Sequence, residues 1–112
     1  MPDAYTALVA DLKALSVPFA ENSWNTRPKV NTYGVVALDF ERDALRGNNG
    51  KLVTSYEGSV DLFSLSRDGD GMVDDVVLLL AKHCAGCWSL NSHVWEQDTR
   101  LFHWEWTFEV DG

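Results

Sequence analysis

The chain has 112 residues, 46% of them hydrophobic and 12% aromatic, a length that bounds one domain and a composition too rich in core-forming side chains for a disordered chain. Nine Lys and Arg stand against 17 Asp and Glu, a formal net charge of -8. Such a chain repels phosphate backbones and anionic lipid surfaces, which disfavours nucleic-acid and membrane-surface binding.

The segment Met1 to Tyr5 has no basic n-region and no apolar h-region, and the longest apolar run, Val76 to Ala81, falls far short of the roughly 20 residues of a spanning helix. The expectation is a soluble chain made in a cytosol. Cys84 and Cys87 are too few for a disulfide framework.

From Asp3 to Ser16 the residues Tyr5, Leu8, Val9, Leu12 and Leu15 recur at helical spacing, and Val17-Pro18 ends that helix. Phe19 to Val30 reads as a short irregular strand and a loop. Asn31 to Glu41 is apolar on both faces in its middle, as a central strand is. Arg42 to Lys51 is polar and holds Gly47-Asn48-Asn49-Gly50, residues that tolerate positive φ at a hairpin tip. Leu52 to Ser64 is the returning strand. Arg67 to Gly71 is a loop whose Asp70 is placed to cap a second helix from about Met72 to Lys82, striped by Met72, Val73, Val76, Val77 and Leu80.

At the C-terminal end Phe102, Trp104, Trp106, Phe108 and Val110 alternate strictly with His103, Glu105, Thr107 and Glu109. Trp88, Leu90 and Val94 are the apolar set of the strand before. For the two apolar sets to share a face, paired residue numbers must sum to an even value, which sets Val94 opposite Phe102 or Trp104. His93, Trp95, Leu101 and His103 then fall on the face away from the core. The predicted fold is α+β: an antiparallel sheet with two helices packed on one face, in a single domain spanning 1–112.

No motif supplies a catalytic site. Cys84-Ala85-Gly86-Cys87 has redox spacing but lies at a helix C-terminus, where the dipole disfavours a thiolate, so the pair reads as core and cap residues with Gly86 reversing the chain. Cys84, Cys87, His83, His93 and His103 do not form two ligand pairs at zinc spacing. Asp68 to Asp75 fails the calcium-loop pattern, with Met72 and Val73 where an oxygen ligand and a glycine are required. No metal or cofactor is expected, and the pattern points to protein binding.

The segment Tyr56 to Ser64, containing Asp61-Leu62-Phe63, followed by a polar loop and helix, then Trp88-Ser89-Leu90-Asn91-Ser92 and Glu96-Gln97-Asp98-Thr99-Arg100-Leu101-Phe102-His103-Trp104-Glu105-Trp106, resembles the small tail completion (tail terminator) proteins of long-tailed bacteriophages. The resemblance covers the C-terminal half closely and the first helix more loosely. The Cys84/Cys87 pair departs from the pattern, as does Arg100, where glycine is the more usual turn residue. What the resemblance implies is a virion structural protein whose homo-oligomeric ring, typically a hexamer, ends the tail tube. Its partners would be the tail tube protein and a neck or head-completion protein, with DNA passing the lumen without specific binding. Arg42, Arg46, Asn48, Asn49 and Lys51 at the hairpin tip, with His93, Trp95, Leu101 and His103, are the expected subunit and partner contacts. A head-completion or other neck-ring protein is the nearest alternative. Trp24, Trp88 and Trp95 suggest a small ligand- or carbohydrate-binding module, and the Cys pair a thiol oxidoreductase, as readings from other classes.

Overall fold

The fold was obtained as a computed structural model that describes residues 2–46 and 51–111, with the backbone alone for 40–46 and 51–54. Helix α1 spans Asp3–Lys13, strand β1 Phe19–Glu21, β2 Thr32–Arg46, β3 Lys51–Ser64, helix α2 Met72–Cys84, β4 Trp88–Glu96 and β5 Leu101–Asp111. A 3₁₀ turn, Gly69–Gly71, leads into α2. The five strands form one sheet in the order β1-β2-β3-β5-β4.

The sheet is mixed, which corrects the wholly antiparallel expectation. Phe19, Ala20 and Glu21 pair in parallel with Gly34, Val35 and Val36, while every other strand pair is antiparallel. A parallel pair needs a crossover, and here the loop after Glu21 supplies it by passing over the sheet face away from the helices. It is pinned there by Trp24 Nε1 donating to the Gly34 carbonyl at 3.0 Å and by Arg27 donating to the Thr99 carbonyl at 3.3 Å. Gly34 permits the arrangement, because a Cβ there would meet the Phe19 ring at 2.2 Å.

Both helices cover the other face. Tyr5, Leu8, Val9 and Leu12 of α1 and Met72, Val76, Leu80 and Cys84 of α2 pack on Val36, Val60, Leu62, Trp104, Trp106, Phe108 and Val110. The strict alternation of the last strand makes this core, with Trp104, Trp106, Phe108 and Val110 all buried. Helix α1 stops at Lys13, before Ser16, because the Ala14 and Leu15 N–H groups tighten onto the Ala10, Asp11 and Leu12 carbonyls ahead of Pro18.

Asp70 does not cap α2; Gly71, at φ 77, holds the cap position and no side chain bonds there. Asp70 itself adopts φ 56 and turns its carboxylate onto the Thr32 hydroxyl and, at 2.7 Å, the Asn31 amide. Those bonds, the Thr32 one first, hold its carboxyl below the usual range. Thr32 also shares a hydrogen bond of 2.7 Å with Ser64 in the interior. This knot ties the loop before α2 to the ends of β2 and β3.

Arg42 to Arg46 and Lys51 are strand rather than loop, another correction. Pairing runs to Arg46↔Lys51, whereas β5 accompanies β3 only as far as Ser55↔Asp111. The β2–β3 hairpin thus continues past the sheet as a two-stranded arm, in a molecule measuring 51 × 26 × 26 Å. The expected contacts Asn48 and Asn49 lie outside the described residues.

Candidate partner interface

Strand β4 is an edge of the sheet, and its register departs from the expected parity. Trp88, Leu90 and their partners Phe108 and Trp106 keep even sums, but the ladder shifts between Leu90 and Ser92, after which His93 pairs with Trp104, Val94 with His103, Trp95 with Phe102 and Glu96 with Leu101. Asn91 is the extra residue of this β-bulge. Its side-chain oxygen accepts from Thr107 Oγ1 at 3.2 Å and from Ser89 Oγ at 3.4 Å. Val94 therefore faces neither Phe102 nor Trp104.

The shift moves two expected contacts to the helix side. His93 stacks on Trp104 with ring centroids 4.4 Å apart, and Trp95 meets Phe102 edge-on at 5.0 Å. Leu90, Val94 and Trp95 remain 49%, 47% and 52% exposed along the edge, a large apolar content for one outer strand. The turn beyond, Gln97 to Arg100, closes with the Arg100 N–H on the Glu96 carbonyl at 2.8 Å. Arg100 takes the left-handed conformation there, φ 59, in the place where glycine is more usual.

On the face away from the helices an aromatic row crosses the sheet. Trp24 meets Tyr33 edge-on at 6.3 Å, Tyr33 stacks on Phe63 at 5.1 Å and Phe63 on His103 at 4.2 Å. A groove of ≈ 400 Å³ opens over it, lined by Trp24, Arg27, Tyr33, Val35, Asp61 and Phe63 among others. Leu101 begins β5 on this side and is 0% exposed, so it offers nothing to a partner.

His103 is committed within the chain. Its Nε2 lies 2.6 Å from Asp61 Oδ1 and its Nδ1 2.9 Å from Glu96 Oε2, whose carboxylate also accepts from the Thr99 hydroxyl at 3.1 Å. The Asp61 bond first, then Glu96, push the imidazole up to about 8 against the opposing effect of burial, and the reciprocal bond holds the Glu96 carboxyl below its usual range. The same face sets Asp61 opposite Glu105 and Glu57 opposite Glu109 across β3 and β5. Like charges directly opposite destabilise a sheet. The His103 imidazolium offsets part of that cost at Asp61.

The remaining sequence candidates do not converge. Trp24 lies over β2 on one face, whereas Trp95 lies at the β4 edge on the other, so the tryptophans make no common stacking platform. Cys84 is buried and its thiol is pushed up to about 11, first by burial, while Cys87 is exposed; both are free. Their turn is a helix end, with Ala85 and Gly86 at φ 48 and 82 and the Cys87 N–H on the Cys84 carbonyl at 2.8 Å. Among the described residues no three His, Cys, Asp or Glu side chains converge on a cation-sized space. Arg42, Arg46 and Lys51 belong to the arm's backbone, at the end of the sheet opposite the Glu96–Leu101 turn.

No family model and no curated protein matches this chain. Among solved structures it is similar to a chain of the "Virion of native gene transfer agent (GTA) particle", with a TM-score of 0.45, 10% sequence identity, and coverage of 99% of this chain and 87% of that one.

Proposed function

We propose that the chain is a structural protein of a long-tailed phage particle, forming a ring that ends the tail tube and joins it to the neck. One observation carries the reading: the segments that bear the resemblance become adjacent strands of one unit. Leu62 of the Asp61-Leu62-Phe63 phrase pairs with Trp104 and Trp106 with Leu90, so that the resembling segments make up the greater part of β3, β5 and β4.

Two physical features support it. The open face carries Glu57, Asp61, Glu105 and Glu109, and a surface of this sign lets a polyanion slide past without phosphate contacts. An isolated two-stranded hairpin is marginal in water, so an arm reaching beyond the sheet is better explained by a neighbour than by solvent. The neighbour would be another subunit, the tube or the neck.

A nonsense mutation in this reading frame, within the replicon that encodes it, should give filled heads detached from tails of irregular length. Supplying the protein in trans should restore joined particles. Normal particles without the protein would overturn the proposal.

A further inference from the structure

We infer that subunits join head to tail through main-chain pairing, the free edge of β4 in one copy docking on the free edge of the β2–β3 arm in the next. The inference rests on the ring reading above and names the surfaces that would build it. The two edges lie on opposite sides of the same sheet, because β4 ends the strand order while β1 covers β2 only at Gly34–Val36. Asn22 closes that short ladder by donating to the Val36 carbonyl at 2.8 Å, and the Tyr5 hydroxyl reaches the Leu38 backbone. Among the described residues, no strand occupies the outer side of β2 from Asp39 to Arg46.

Two properties make a second copy the occupant. The lengths are compatible, since the regular stretch of β4 beyond its bulge, Ser92 to Glu96, fits within the open stretch of β2 from Asp39 to Arg46. Finally, apart from the bulge at Asn91, β4 carries none of the devices that keep an edge solitary, having no Lys and no Pro, and beyond that bulge it keeps regular register from Ser92 to Glu96 with Val94 and Trp95 exposed. An edge that pairs with a different edge gives a heterologous contact, which closes into a ring when the rotation per subunit divides a full turn.

The test uses two variants blocked on opposite sides. Leu90→Lys with Val94→Lys places charge on both faces of the β4 edge. In the other, Asp43 to Thr54 are replaced by Asn-Gly between the paired residues Arg42 and Ser55, a two-residue hairpin link. Each variant should keep the wild-type far-UV circular dichroism per residue and sediment as a monomer where the wild type is oligomeric. An equimolar mixture should sediment as a 1:1 heterodimer and go no further, because only the arm of the first and the β4 edge of the second remain. Self-association of the arm-deleted chain alone overturns the inference, since that points to β4 pairing with β4. A monomeric mixture overturns it as well. Wild-type oligomers unaffected by either change would overturn this pairing while leaving the tail-completion reading to the particle phenotype.

Discussion

The His103 clamp gives the protein a stability that should decline on the alkaline side of neutrality. The folded chain holds the imidazole up to about 8 against 6.5 for the free side chain. A raised folded value means that the native state binds the proton more tightly than the unfolded state. The contribution is thus complete below pH 6.5, falls as pH rises, and is gone once pH passes about 8. Each unit of difference is worth about 1.4 kcal/mol, so the clamp contributes on the order of 2 kcal/mol to the protonated form. Only 17% of the His103 side chain and 20% of Asp61 are exposed, so solvent screening removes little of this.

Urea unfolding at pH 6, 7, 8 and 9 should show that loss. The growing negative charge of an acidic protein also erodes stability, so the diagnostic is the comparison with His103→Gln, which keeps a hydrogen-bonding side chain but cannot take the proton. The wild type should lose about 2 kcal/mol more than the variant between pH 6 and 9. Proton NMR of His103 should give a midpoint near 8 that returns towards 6.5 in Asp61→Asn. Parallel pH profiles for wild type and His103→Gln would refute the reasoning, as would a stability that rises through this window.

Other consequences can be measured directly. Gly34→Ala should destabilise by about 2 kcal/mol through overpacking against Phe19, and adding Phe19→Leu should recover part of it; additive losses would show that the close contact is not the cause. Trp106→Ala should cost about 3 to 5 kcal/mol, whereas Trp95→Ser should cost about 1 kcal/mol in the dissociated monomer, because Trp95 keeps only its edge contact with Phe102; equal losses would place Trp95 in the core. The protein should not retain double-stranded DNA in a gel-shift assay at physiological salt, and a shift at micromolar protein that weakens steeply with added salt would contradict the role assigned to the acidic face.

The apolar stripes of both helices, the two-sided central strand and the alternation of β5 were legible in the sequence because each is a local periodicity that burial imposes directly. The direction of β1 was not, since three residues carry no record of which way the partner strand runs. The bulge at Asn91 was equally silent: parity assumes one residue opposite one residue, and a polar residue that adds one to a strand looks the same in sequence as one that pairs. That single insertion relocated His93 and Trp95 while leaving His103 where parity put it. The arm reads as a loop because charged residues, Asn and Gly dominate Arg42 to Lys51, and a strand with no sheet to bury it loses the apolar signal. His103 was placed on the right face but read as a surface contact, because its two carboxylate partners come from Asp61 and Glu96, 42 and 7 residues away.

The bulge also bears on assembly. Before Asn91, Trp88 and Leu90 keep the same parity as the buried set of β5, and the edge there is the outer margin of the core. After it, the ladder turns Val94 onto the open face beside His103 and sends Trp95 to the helix side, so the last stretch of β4 exposes one large apolar residue on each face. A straight strand obeying parity would instead have aligned Val94 with the core and left Trp95 among the carboxylates of the open face. Bulges often protect an edge by twisting it away, but here the residues beyond the bulge run in regular register to Glu96. The distortion thus interrupts the edge near α2 and leaves the half next to the Gln97 to Arg100 turn unprotected. An incoming strand would find its main-chain partners in that half, with an apolar side chain above and below them.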